Sequence, residues 1–196
     1  ACIGRMLALT DDATVVEKLT IEQADIAFDE GMLDKSGKLY RCYAELYPSG
    51  TYIKYAEYKA ILSSFFLTLS ARHDQTATKT TLALAEQFID DPKKDAAYAP
   101  HVKQICLHCY YRLAEHELEI CRWYLKKNSP KAVESRLAYV KKELLAKVAD
   151  IEPMILEIER SLAKQQKDTP RYQRVTTRLA QLRSTTKSNI NFLTRF

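Results

Sequence analysis

The sequence predicts an all-α fold of stacked helical hairpins, a tetratricopeptide-like superhelix of about eight helices. Three observations predict it. Glycine and proline are scarce, at four and six of 196 residues. Long stretches are rich in Ala, Leu, Lys, Glu and Arg, the residues that lose least on entering a helix. Apolar residues recur at three- and four-residue steps, and no segment alternates as a half-buried strand would.

The period places helices near 16–32, 38–47, 51–71, 77–90, 98–127, 130–148, 153–167 and 170–194. Turn chemistry separates them. Asp34-Lys35-Ser36-Gly37, Pro48-Ser49-Gly50, Asp90-Asp91-Pro92, Asn128-Ser129-Pro130, Ile151-Glu152-Pro153 and Asp168-Thr169-Pro170 each combine a capping residue or Gly with a residue that starts or forbids a helix. Residues 1–15 read as a flexible leader, 16–150 as the repeat array, and 151–196 as a basic hairpin continuing it.

The helix near 98–127 carries two apolar stripes, Val102, Cys106, Cys109, Leu113, Ile120, Tyr124 and Tyr110, Ala114, Leu118, Cys121, Leu125. Two stripes require two sets of neighbours, as in a central helix of an array. Ala56, Ala60 and Ser63 line one face of the helix near 51–71, where small side chains admit a close neighbour. Val175, Leu179, Leu182, Thr186 and Leu193 form a seam on the last helix.

No segment approaches the roughly twenty apolar residues that span a bilayer; Ala60 to Leu69 is interrupted by Ser63, Ser64 and Thr68. The charge is localised. From Arg160 to Phe196 nine Lys or Arg accompany a single acid, Asp168, so this segment carries +8 and the remainder −3 of the total +5. Arg171, Arg174 and Arg178 share a face and form the candidate basic patch, suited to acidic protein, anionic lipid or, less specifically, nucleic acid. Nucleic acid is the weaker reading because no base-reading motif accompanies the charge.

The five cysteines, Cys2, Cys42, Cys106, Cys109 and Cys121, make an odd set unlike a disulfide framework, which favours a reducing compartment. Against that, a small residue before a cysteine, as in Ala1-Cys2, is also the pattern that a bacterial lipoprotein cleavage site leaves, which makes Cys2 a candidate lipid anchor. Cys106-x-x-Cys109 with His101, His108 and Cys121 could be drawn as a zinc site. All lie on one helix and no second pair closes a tetrahedron, so the reading is buried core thiols and no metal or other cofactor. None of the four histidines sits in a catalytic motif, and no Gly-rich phosphate loop is present, so no catalytic residue is assigned. Asp74 and Thr76 read as caps of the helix near 77, in preference to a His73-Asp74 dyad.

Tyr52, Tyr55 and Tyr58 either line a groove for an extended client peptide or pack within the hairpin, with Tyr58 expected to face outward between Glu57 and Lys59. Arg112 interrupts an apolar stretch and reads either as a solvated edge or an internal ion pair with Glu115 or Glu119, or as a binding residue.

The order of several motifs resembles one family. Tyr47-Pro48-Ser49-Gly50, Tyr55-Ala56-Glu57-Tyr58, Asp74-Gln75-Thr76-Ala77-Thr78 and Phe88-Ile89-Asp90 are similar to the middle of BamD proteins, the outer-membrane assembly lipoproteins. Tyr98-Ala99-Pro100, Arg112 to Leu118, Trp123 to Lys127, and Ala132 to Val140 with its central Arg136 continue the resemblance, which covers roughly residues 20 to 150. It implies a non-enzymatic, lipid-anchored scaffold on the periplasmic face of the bacterial outer membrane. Its partners would be a barrel-assembly protein with periplasmic domains, accessory lipoproteins and unfolded outer-membrane protein clients. Arg112 matches the family's arginine at the junction with the barrel partner, and with Glu115 and Arg136 forms the candidate partner-binding set. BamD chains carry one more repeat before the equivalent of residue 20, where this sequence has a short leader. The competing reading is a generic tetratricopeptide adaptor in the cytoplasm.

Overall fold

The computed structural model describes residues 12–92 and 96–193, excluding the side chains of Ala13 and of 184–193. Among the described residues the fold is all-α, with eight α-helices and no strand. They are α1 (Ala13–Asp29), α2 (Leu33–Leu46), α3 (Ile53–Phe66), α4 (Thr76–Asp90), α5 (Ala99–Lys126), α6 (Pro130–Tyr139), α7 (Glu152–Gln166) and α8 (Thr169–Leu193). The chain forms two compact units, Ala1–Cys109 and Tyr110–Phe196, with α5 running through the boundary.

In the N-terminal unit α1, α2, α3 and α4 pack successively, each on the next. The core joins Ile21 and Ala24 of α1, Tyr40 and Tyr43 of α2, and Ala56 and Ala60 of α3. The small stripe of α3 does admit a close neighbour: Ser63 Oγ lies 3.0 Å from Ser36 Oγ of α2. Both hydroxyls also bond backbone carbonyls, Leu33 and Lys59, one turn back. The first turns of α5 contribute Val102, Ile105 and Cys109 to the buried set of this unit.

In the C-terminal unit the second stripe of α5 supplies the core. Ala114, Leu118 and Cys121 pack with Val133 and Leu137 of α6 and with Ile155, Ile158 and Leu162 of α7. Leu156 of α7 meets Val175 and Leu179 of α8, with Leu182 at the edge. Thr186 and Leu193, the remainder of the predicted seam, lie outside the described side chains.

Three boundaries differ from the sequence reading. Gly37 was expected in a turn, yet α2 begins at Leu33 and Gly37 is buried inside it, opposite Ser63. The turn falls at Gly31, whose φ of +73° closes α1 in a conformation that glycine adopts without penalty. The helix predicted to run to 71 stops at Phe66, where the Thr68 hydroxyl and N–H both bond the Phe65 carbonyl. The helix predicted over 130–148 changes after Tyr139 into a π turn, Val140–Leu144, closed by the Leu145 N–H on the Val140 carbonyl at 3.0 Å. The wider turn keeps Val140, Leu144 and Val148 all buried.

Two glycines should respond oppositely to alanine. At Gly50 a Cβ would sit 2.7 Å from Tyr43 Oη and Glu17 Oε1 and 2.9 Å from Tyr47 Cβ. At Gly37 the nearest atom, Ser63 Cβ, is at an ordinary 3.4 Å. Urea unfolding should show Gly50→Ala destabilised by about 1–3 kcal/mol, as overpacking is. Gly37→Ala should be neutral or stabilised by up to about 1 kcal/mol through helix propensity; the reverse order would contradict this packing.

Candidate functional site

The N-terminal unit holds a groove of about 450 Å³ between α1 and the start of α3, lined by Lys18, Ile21, Glu22, Asp25, Thr51, Tyr52, Lys54, Tyr55 and Tyr98. Two of the three predicted groove tyrosines, Tyr52 and Tyr55, line it. Tyr58 does not, correcting the expectation that it faces outward. Its ring stacks on Tyr98 at 4.8 Å between centroids and 10° between planes, leaving it half-buried, whereas Tyr52 is exposed. The stacked pair backs Tyr55, whose ring is 6.4 Å from that of Tyr98.

Two carboxylates position these rings. Asp25 Oδ1 accepts the hydroxyls of Tyr40 at 2.6 Å and Tyr55 at 2.7 Å, joining α1 to α2 and α3. Glu17 Oε1 accepts Tyr43 Oη at 2.5 Å and the Thr51 N–H at 2.9 Å, and the Tyr52 N–H donates to Tyr43 Oη at 3.1 Å. Tyr52 is thereby held through its own backbone. At the rim Lys54 bridges Glu57 at 2.8 Å and Asp91 at 2.5 Å. Burial alone would lower the Lys54 pKa, but the bonds from Asp91 and Glu57 raise it on balance, so it stays a cation. Lys59 Nζ lies 3.5 Å from the Phe28 ring centroid, a cation–π contact between α3 and α1. The site offers aromatic faces flanked by both signs of charge, which suits an extended peptide with alternating apolar and polar side chains.

Sequence reasoning missed Tyr98, Asp25 and Glu17 as site residues. Asp25 carried a signal: it falls in the apolar stripe Ile21, Ala24, Phe28 of α1, where a carboxylate demands a partner.

The partner-binding candidates lie in the C-terminal unit. Arg112 and Glu115 are half-buried in the middle of α5. Arg136 Nη1 on α6 bonds Glu117 Oε2 of α5 at 2.8 Å, a pair in which Glu117 is only 16% exposed and Arg136 is 43% exposed. Glu119, considered for Arg112, pairs with Arg122. The basic patch divides. Arg178 grips Glu152 with two bonds, 2.9 and 3.2 Å, and Arg171 lies 3.2 Å from Glu159, both across to α7, while Arg174 is exposed. Three of the four arginines of α8, Arg171, Arg178 and Arg183, therefore fasten the α7–α8 hairpin.

Cys109 and Cys121 are buried and Cys106 half-buried, while Cys42 is exposed. Burial, then Glu117 nearby, pushes the Cys121 thiol up to about 11, making it an inert core group. Among the described residues no group of three or more His, Cys, Asp or Glu is placed to hold a metal ion. His73 Nδ1 meets Ser70 Oγ at 2.8 Å, and Asp74 accepts the Thr76 N–H at 2.9 Å from just ahead of α4; the N-cap itself is Gln75, without a side-chain cap bond, and Thr76 is the first helical residue instead of a cap. Cys2 lies outside the described residues.

A family model described as YfiO, outer membrane lipoprotein, matches residues 17–175, from the first helix to the start of the last. The chain belongs to this family of outer membrane lipoproteins. The resemblance to BamD proteins points to the same family. No curated protein matches the chain.

The tyrosine network makes the groove sensitive to alkali. Burial, then the bond to Glu17, pushes Tyr43 up to about 12 from the ordinary 10, and burial with Asp25 raises Tyr40 and Tyr55 further. The folded chain thus keeps protons that the unfolded chain releases, so stability is fully present below pH 10 and falls as pH rises toward 12. Chemical unfolding across that interval should show the decline, and Tyr43→Phe should make it shallower, leaving the part due to Tyr40 and Tyr55. A stability independent of pH there would contradict the network.

Proposed function

We propose that this chain is a non-enzymatic scaffold of the machinery that assembles β-barrel proteins into the bacterial outer membrane. The match of residues 17–175 to the outer membrane lipoprotein family carries the reading. In this proposal the chain works at the periplasmic face of the membrane, with residues 1–15 a leader and Cys2 the point of lipid attachment. Residues 16–150 are the repeat array, and the hairpin 151–196 continues it.

The groove bounded by Tyr52, Tyr55 and Tyr98 supports a client-receiving role for the N-terminal unit. Its aromatic rings offer large contact area with few rotors to freeze, and the carboxylates beneath them hold the rings in place before a ligand arrives. Tyr58 takes part by supporting Tyr98. Arg112, Glu115 and Arg136 are proposed to hold the barrel partner's periplasmic domains, with accessory lipoproteins on the same unit. Arginine suits that task because its planar fork can grip a carboxylate with two bonds. The Glu117 pair orients Arg136, whose guanidinium remains partly open to solvent. Use of Arg171 and Arg178 within the hairpin weighs against nucleic acid, which would need those cations free.

Affinity for the partner's periplasmic domains and melting temperature, both read on Arg112→Ala, test the assignment. A partner-holding Arg112 gives binding weaker by about 2 kcal/mol or more, the scale of an interface hot spot, with stability nearly unchanged. Unaltered affinity with a large fall in melting temperature would make Arg112 a structural residue and retire the assignment. Lysine should rescue little of the binding, since it lacks the fork.

A further inference from the structure

We propose that the end of the C-terminal unit where α5, α6, α7 and α8 meet docks on an anionic membrane surface. Two hydrogen bonds and an ion pair bring these four helix ends together. Gln165 Nε2 donates to the Leu125 carbonyl at 2.7 Å, Gln166 Nε2 donates to Glu134 at 2.9 Å, and Arg171 reaches Glu134 at 3.7 Å. Left-handed residues close both connections, Asn128 at φ 53° and Lys167 at φ 57°.

Five lysines project from this end: Lys126, Lys127, Lys131, Lys164 and Lys167, all exposed and none in an ion pair among the described residues. The carboxylates at the same end are already engaged. Glu134 serves Gln166 and Arg171, and Asp168 caps α8 by accepting the Arg171 N–H at 3.0 Å. Elsewhere in this unit most cations are matched, as Lys141 is by Glu159, Arg178 by Glu152 and Arg183 by Glu157, while Lys147, Arg160 and Arg174 stand singly along the chain. Most of the unmatched positive charge is therefore gathered at one end.

Helix dipoles account for part of it, since a lysine at a helix C-terminus is favourable on its own. They do not account for Lys131, at the start of α6, nor for Trp123. That indole stands 53% exposed on the last turns of α5, with Lys127 Nζ 5.7 Å from its ring, and Tyr172 is exposed at the start of α8. An apolar ring with one polar edge, set among long flexible cations, matches the headgroup layer of a bilayer, where Trp and Tyr reside and lysines reach phosphates. An acidic protein or nucleic acid would favour arginine forks, and the arginine at this end, Arg171, is occupied by Glu134 and Glu159. Membership of an outer membrane lipoprotein family puts such a surface within reach of the chain. The inference rests on that membership and not on partner binding, which is measured without membranes, so the two can fail separately.

Trp123 is the single tryptophan, so its emission reports this end alone. The unlipidated chain should sediment with phosphatidylglycerol vesicles with a blue shift of Trp123, bind phosphatidylcholine vesicles much less, and be released by salt. Lys126→Gln with Lys127→Gln and Lys131→Gln should weaken binding by about a hundredfold, the scale of three lysine–headgroup contacts. Lys164→Gln with Lys167→Gln, on the other hairpin, should weaken it in the same direction. Lys142→Gln on the π turn beyond α6, set against Lys127→Gln as an equal single-charge change, should leave binding as it was while Lys127→Gln weakens it. No binding to phosphatidylglycerol vesicles, equal binding to both lipids, binding without the Trp123 shift, or an equal loss from Lys142→Gln would each overturn the proposal.

Discussion

Asp25 takes the hydroxyls of Tyr40 and Tyr55 from two different helices, and the geometry of the N-terminal unit follows from that shared acceptor. A carboxylate in an apolar stripe is costly unless its lone pairs are filled, and a phenol that is buried, as Tyr40 is, or half-buried, as Tyr55 is, is costly unless its proton is placed. Each requirement is met by the other, so α1, α2 and α3 must adopt the register in which the three groups meet. Glu17 repeats the arrangement one end of α1 away, with Tyr43 and the backbone of Thr51. Gly50 leaves the room this second contact needs.

The groove is a consequence of the same constraint. Tyr55 donates its hydroxyl to Asp25 and lines the cavity beside Tyr98, which is stacked on Tyr58. Side chains fixed in this way lose little freedom on meeting a ligand, which is the physical advantage of a preorganised surface. The C-terminal unit is organised differently. Its helices share a larger aliphatic core, and ion pairs join α5 to α6 and α7 to α8, with most of the unpaired lysines at one end.

The all-α class, the helix count and most boundaries were legible in sequence because proline and capping residues mark turns through local chemistry alone. The errors arose where tertiary contact overrides that chemistry. Gly37 reads as a breaker, but close approach to Ser63 makes a small residue useful inside α2. The π turn after Tyr139 is invisible to a periodicity of 3.6, since it exists to keep Val140, Leu144 and Val148 all facing the core. At the site, the spacing of Tyr52, Tyr55 and Tyr58 announced an aromatic surface but not which ring turns outward. That choice depends on Tyr98, forty residues from Tyr58, which a local reading does not connect. The arginines of α8 looked like a free patch for the same reason: their carboxylate partners lie on α7.

The central claim is that the Tyr52–Tyr55–Tyr98 groove, held by Asp25, receives extended client chains. The most direct measurement places a photo-crosslinking side chain at Tyr52, and separately at exposed Tyr139 of the C-terminal unit, and exposes each protein to an unfolded outer-membrane barrel protein. The account predicts client adducts from position 52, few from position 139, and loss of the former when Asp25→Asn is added. Adducts equal at both positions, or undiminished at position 52 by Asp25→Asn, would contradict it.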